Sequence, residues 1–256
     1  MFLPLGDSPN PRGLHWMTLA LIAANVAVYL VVTLPLSGQP VNPADTRVAE
    51  YVAAMAKHLP PGTDLRAALA GMSQYDLFVY QWGFRPAAMN VTDLFFSMFL
   101  HGGFMHLAGN MLFLFIYGNN VEDRLGPFWF LVAYLATGIA AALFQAAFSV
   151  GSNIPMVGAS GAISGVLGFY LRWFPHHYVK IFMFMPPFLV GTRMLPASLV
   201  LWGYLILDNV LPFLAAAQGG VAHGAHIGGF IAGLAVAFAM GRKEPREPMP
   251  PPELRG

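Results

Sequence analysis

The chain has 256 residues, of which 57% are hydrophobic and only 10% charged, and its mean hydropathy is +0.59. An ordinary soluble domain is about 45–50% apolar and about 25% charged, so a water-soluble globule and a disordered chain both fit poorly, and a formal net charge of +1 offers no basic field for nucleic acid. Cysteine is absent, which removes disulfides, thiolate metal sites and a cysteine nucleophile and leaves chemistry to Ser, His, Asn, Asp, Glu or the backbone.

A membrane-spanning helix needs about 20 mostly apolar residues, and uncharged runs of that length recur. Residues 1–13 precede a first span, Leu14 to Leu36, opened by Trp16 as an interfacial anchor. Its length and the lack of a small-residue cleavage pattern argue against a removable signal peptide. Residues 37–92 form one large outer segment in which Val48, Tyr51, Val52, Met55 and Leu59 recur at helical spacing. That predicts a short amphipathic helix, lying on the outer leaflet or packed against the bundle. The 28 uncharged residues between Asp93 and Glu122 hold a second span. The 47 between Arg124 and Arg172 hold a third and a fourth, divided by the turn formers from Ser149 to Pro155. Pro196 to about Ala216 gives a fifth span, interrupted only by Asp208, and about Ala222 to Met240 a sixth. Pro-rich residues 242–256 read as a flexible tail.

Six spans place both termini on one side. Nine of the thirteen Lys and Arg fall there, including Arg12, Arg124, Arg172, Lys180, Arg193 and Arg242, while the short loops around Ser152 and Gly219 carry none. The positive-inside rule makes that side cytoplasmic. The expected fold is therefore an all-α polytopic membrane protein, a six-helix bundle over residues 14–241. No internal repeat is visible, which argues against an inverted-repeat transporter.

Polar side chains in hydrocarbon are costly unless partnered or placed at a water-filled cavity, and three clusters stand out. His106 and Asn110, four apart in the second span, share one helix face, with His101 five residues earlier; interhelical hydrogen bonding is the structural alternative. Gly158-Ala-Ser160-Gly161 stands where a turn becomes the fourth span, so a helix N-terminus supplies free N–H groups beside an uncovered hydroxyl. Gly158, Gly161, Ser164, Gly165 and Gly168 are equally a small-residue packing stripe. In the sixth span, Gly229 and Gly233 lie on the face of His226. If the two glycine faces pack together, Ser160 and His226 meet near the outer end of the bundle, and a neutral imidazole can take the proton of a serine nucleophile. A metal site is the other use of histidines, but neither histidine cluster contains an acid and no H-E-x-x-H occurs. Asp208, the last acid in the spans, is a candidate for orienting an imidazole. His15, His58, His176 and His177 read as interfacial or solvated, and His223 as an exposed helix-end residue.

In order and spacing these residues resemble the rhomboid intramembrane serine proteases. The resemblance rests on His101-x4-His106-x3-Asn110, Gly158-x-Ser160-Gly161, Ala225-His226 followed by Gly229-x3-Gly233, and Val121-Glu-Asp-Arg-Leu-Gly126, over roughly Gln81 to Gly241. It implies a six-helix core, Ser160 as nucleophile and His226 as general base without an acid. Asn110, His106 and the Ser160 N–H would form an oxyanion hole, with His101, Gly158, Gly161, Gly229 and Gly233 in support. It further implies cleavage of single-pass membrane proteins in or near the bilayer of a bacterial cell membrane, with no cofactor and no metal; a catalytically silent relative that binds membrane clients is the alternative. Two departures appear. Thr92-Asp93 stands where some members carry Trp-Arg, with Trp82 and Arg85 nearby, and Ser164 stands where some carry an aromatic residue that stacks on the catalytic imidazole.

Overall fold

The computed structural model describes residues 2–42, 44–55, 71–185, 189–215 and 221–241. The expected tail (242–256), Leu59 and the loop around Gly219 lie outside them. The chain runs β1 (Phe2–Ser8), α1 (Trp16–Ser37), α2 (Thr46–Met55), α3 (Gln74–Trp82), α4 (Val91–Phe96), α5 (Phe104–Leu125), α6 (Pro127–Phe148), α7 (Ser160–Trp173), β2 (Tyr178–Met185), β3 (Leu189–Pro196), α8 (Ala197–Leu214) and α9 (His223–Ala239). The protein is mostly helical. Among the described residues α1, α6 and α8 are long and apolar enough to cross a membrane, and a fourth candidate is the pair Val91–Phe99 and Phe104–Leu125, bent by 91°. The expected second span is therefore broken, and His101 sits in the break.

The expectation of an all-α chain is corrected by a three-stranded sheet in the order β1-β2-β3. β2 and β3 form an antiparallel hairpin, Tyr178 opposite Pro196 and Phe184 opposite Val190, and β1 adds antiparallel to β2, Phe2 opposite Met183 and Ser8 opposite Tyr178. Tyr178–Met185 is rich in aromatic and β-branched residues and far too short to span. Residues 1–13 are thus not simply a terminal extension, since 2–8 complete a sheet.

The core centres on α7, where every residue from Gly161 to Leu171 is buried. A helix buried on all sides needs close neighbours, and glycine permits them. A Cβ on Gly229 would stand 2.1 Å from the Gly161 carbonyl oxygen, and one on Gly233 2.0 Å from that of Gly165. On the opposite flank a Cβ on Gly165 would meet Thr137 of α6 at 2.3 Å. The expected pairing of the two glycine faces is what brings α7 and α9 into backbone contact.

At the end of the bundle away from Ser160, buried Glu122 accepts hydrogen bonds from the Met17 and Thr18 N–H groups (2.9 and 2.7 Å) and the Thr18 hydroxyl (2.7 Å). A carboxylate there satisfies free N–H groups of α1 and complements its dipole. Arg124 Nη2 and Trp173 Nε1 both donate to the Gly241 carbonyl, at 3.1 and 3.2 Å, tying α5 and α7 to the end of α9. The sheet is anchored at this same end. Asp7 of β1 accepts from the Tyr170 hydroxyl and from Asn120 Nδ2. Burial pushes the Asp7 carboxyl up to about 7, against the opposing pull of those hydrogen bonds. His177, expected to be solvated, instead places Nδ1 3.2 Å from the Tyr170 hydroxyl, and burial lowers it to about 4.

In the outer segment, the apolar stripe of α2 packs on α3: Val48, Met72 and Leu77 form a small buried cluster with Tyr51 and Val52 against it. Ser73 caps α3 in a reciprocal pair with Asp76.

Candidate active site

Ser160 is the first residue of α7, and the chain is guided there by the outer segment. Phe84 and Met156 exchange backbone hydrogen bonds (3.1 and 2.9 Å), and the Gly158 N–H donates to the Ser97 carbonyl at 2.8 Å. Gly158 has φ of +125°, a region side-chain-bearing residues rarely adopt, and a Cβ there would fall 2.8 Å from His106 Cε1 and 2.9 Å from Nε2. Glycine is thus required both by the backbone and by the imidazole lying across it. The backbone N–H of Ser160, in the first turn, has no partner within the helix.

His226 comes from the first turn of α9. Its Nε2 lies 2.8 Å from Ser160 Oγ and its Nδ1 2.7 Å from Asn209 Oδ1. The helix start that carries it is fixed by Gln145 of α6, which accepts from the Ala225 N–H at 3.1 Å. A Cβ on Gly224 would collide with that same Gln145 at 2.5 Å. His223 stands one turn earlier with its ring edge-on to His226 and a centroid separation of 6.4 Å; it is half-buried rather than exposed.

His106 and Asn110 both lie on α5. The His106 Nδ1 accepts from the Gly102 N–H at 3.4 Å, which leaves its Nε2 to carry the proton on the side facing Gly158. Buried Asn110 has an Nδ2 with no hydrogen-bond partner among the described residues, a donor held in reserve. His101 is fully buried behind them, its ring edge-on to His106 at 5.2 Å. Its backbone N–H and carbonyl are both engaged by the Tyr75 hydroxyl (3.1 and 2.8 Å), which locks α3 to the break before α5. The structure therefore groups Ser160, His226, His106 and Gly158, and puts His101 in a supporting layer.

Asp208 is not the partner of His226: it is exposed, with the His223 imidazole as its nearby charge partner, and its neighbour Asn209, 1% exposed, takes the position beside His226. The cause is a π-helical turn, Ile206–Val210, within α8. The extra residue rotates the following side chains off the α-helical phase. Tyr204, from the same helix, lies nearly parallel to the His226 ring (29°, centroids 6.4 Å apart). Its hydroxyl pairs with buried Ser164 at 2.7 Å. The aromatic neighbour of the imidazole is thus contributed by α8, and a serine at 164 provides both room and a partner for it. Neither Asn209 nor Tyr204 stands out in the sequence; the one available signal is an amide next to Asp208 in an otherwise apolar stretch.

Trp82 packs edge-on against Phe96 at 5.4 Å and Arg85 lies over the Tyr80 ring at 4.2 Å. Both line an open recess with Thr92 and Asp93, so the residues that are out of register in sequence are neighbours in space. Among the described residues no group of three or more His, Cys, Asp or Glu is arranged to hold a metal ion.

The model of the Rhomboid domain matches residues 88–243, more than half of the chain. The mitochondrial Rhomboid protein 1 of Saccharomyces cerevisiae is 37% identical over 95 residues, covering 36% of this chain and 28% of that protein. Rhomboid protease AarA of Providencia stuartii is 34% identical over 157 residues (56% of this chain, 53% of that protein), and Rhomboid protease GluP of Bacillus subtilis 34% over 145 (56% and 24%). The chain thus spans from a quarter to about half of the length of these relatives. With its apolar helices and this match, the chain is an integral membrane protein and belongs to the rhomboid family.

Proposed function

We propose that this protein is an intramembrane serine endopeptidase in which Ser160 is the nucleophile and His226 the general base. The observation that carries the reading is the 2.8 Å contact between Ser160 Oγ and His226 Nε2, two side chains 66 positions apart, brought together by a glycine interface in apolar surroundings. A serine hydroxyl becomes nucleophilic when a neighbouring imidazole takes its proton, and an imidazole with its Nδ1–H held by an acceptor presents a bare Nε2 for that task.

In the reaction, Oγ attacks the scissile carbonyl carbon as its proton passes to Nε2. The carbonyl oxygen becomes an oxyanion, facing the Ser160 N–H, His106 Nε2–H and the unpartnered Asn110 Nδ2. Preorganised donors in a water-poor site stabilise such charge strongly; losing one typically costs about 10²–10³-fold in rate. His226 then gives its proton to the leaving amine, and water, deprotonated by the same imidazole, releases the acyl group from Ser160. Gly158 and Gly161 flank the nucleophile and keep it uncovered.

The substrates are membrane proteins with one spanning helix, cut in or near the bilayer at a point where the helix unwinds, since a regular helix hides its carbonyls in backbone hydrogen bonds. α1, α5, α6, α7, α8 and α9 are the six spans, with both termini in the cytoplasm and Ser160 toward the outer face of a bacterial cell membrane. The test is cleavage of a fluorescent single-pass reporter by the detergent-purified protein. Wild type cuts while Ser160→Ala and His226→Ala do not; folded wild type inert toward a panel of helix-destabilised reporters would instead make this a client-binding relative.

A further inference from the structure

Asn209 lies on the far side of His226 from Ser160, so that oxygen, imidazole and hydroxyl form one hydrogen-bonded chain: Asn209 Oδ1, His226 Nδ1, His226 Nε2, Ser160 Oγ, with contacts of 2.7 and 2.8 Å at its two ends. An amide can present either its oxygen or its nitrogen. Here the choice is fixed, because Asn209 Nδ2 donates to the Tyr204 carbonyl at 2.9 Å, and the oxygen is left facing the ring. An amide oxygen can only accept, so Nδ1 must donate and Nε2 must be the unprotonated nitrogen. The residue is 1% exposed, and water does not compete for that oxygen. The π-helical turn delivers it while leaving Asp208 outside, and Tyr204, pinned by Ser164, bounds the ring on one face.

We infer that Asn209 is a positioning residue for His226, its side-chain oxygen holding the imidazole in the Nδ1-protonated tautomer and in line with Ser160. The inference rests on the assignment of His226 as the base. The groups around the ring are Ser160 of α7, Tyr204 and Asn209 of α8, His223 on its own helix and His106 of α5. Among these neighbours none is a carboxylate, so a neutral acceptor supplies the orienting hydrogen bond that an acid supplies in a Ser-His-Asp triad.

The test uses the full-length protein in detergent, ring-15N-labelled at histidine, with His226→Ala assigning the His226 signals. In wild type the His226 Nδ1 carries the proton and Nε2 does not; an Nε2-protonated ring in wild type overturns the inference without any variant. Asn209→Ala is expected to lower kcat about 10- to 100-fold, the scale seen when the hydrogen-bond partner that orients a metal-bound histidine is removed, with KM within about twofold of wild type and a mixture of tautomers in the spectrum. Asn209→Asp restores an acceptor oxygen and is expected to recover kcat at least several-fold over Asn209→Ala. Equal losses in the two variants, or Asn209→Ala turning over within twofold of wild type, overturn the inference. Ser160→Ala, run in parallel, separates the two levels: if it cleaves, the proposed catalysis fails; if it is silent while Asn209→Ala is fully active, the positioning role alone fails.

Discussion

Gly229→Ala adds one methyl group at the tightest point between the helices that carry Ser160 and His226. The new Cβ would stand 2.1 Å from the Gly161 carbonyl oxygen and 3.0 Å from its carbon, with Ala141 Cβ at 3.3 Å. The first two obstacles are backbone atoms, so no rotamer change relieves the clash. Reaching even the 3.0 Å below which real Cβ contacts essentially never occur requires α9 to retreat by about 0.9 Å. His226 sits three residues earlier and moves with it. A displacement of that size stretches the 2.8 Å contact with Ser160 to about 3.7 Å, beyond hydrogen-bonding range. A misplacement of about 1 Å costs on the order of 10²-fold in rate, and overpacking of a tight interface costs about 1–3 kcal/mol. With about 2–4 °C per kcal/mol for a protein of this size, the unfolding midpoint should fall by roughly 2–12 °C. The assays are reporter cleavage and a thermal unfolding curve in one detergent, with Gly203→Ala as control: its Cβ meets nothing within 4 Å, and both readouts should match wild type or improve. Wild-type activity and an unchanged midpoint in Gly229→Ala would refute the close-packed α7–α9 interface.

The Asp7 cluster predicts a pH dependence of stability. Because the folded carboxyl titrates near 7 and its ordinary value is 3.8, the folded state binds more protons than the unfolded one between those values. This group's contribution is therefore fully present below about pH 4 and is lost as pH rises through 7. His177, lowered to about 4 from 6.5, works in the opposite direction between those values. Asp7→Asn should accordingly raise the unfolding midpoint at pH 8 relative to wild type and change it less at pH 5; a larger gain at pH 5 contradicts the assignment. Glu122→Ala leaves the Met17 and Thr18 N–H groups and the Thr18 hydroxyl without their acceptor. An unsatisfied buried donor costs about 1–3 kcal/mol, so a midpoint lowered by several degrees is expected, with Glu122→Gln intermediate because it retains one acceptor oxygen.

The parts legible in the sequence are those governed by simple periodicity. Uncharged runs located the apolar helices, and the spacing of His226, Gly229 and Gly233 against Gly161 and Gly165 identified the faces that meet, because a helix turns about 100° per residue and small residues mark close contact. Asn209 escaped for the same reason. Asp208 is the candidate that chemistry suggests, as the last acid in the spans, but a π-helical turn breaks the periodicity there and leaves it exposed while Asn209 faces His226. Tyr204 escaped because the aromatic next to the imidazole was sought on the serine's own helix, whereas Ser164 serves it from across an interface. The sheet was hidden by composition: short apolar runs such as Tyr178–Met185 fit a strand or a buried helix segment equally, and its edge strand comes from residues 2–8, far away in sequence.

In the proposed reaction Ser160 is a nucleophile activated by His226. Treating the purified protein with a fluorophosphonate and locating the adduct by mass spectrometry of its peptides tests that activation at the reacting atom. One phosphonyl group is expected on Ser160 in wild type and none in His226→Ala, both proteins being folded. An unmodified Ser160 in active, folded wild type, or equal labelling in His226→Ala, would contradict it.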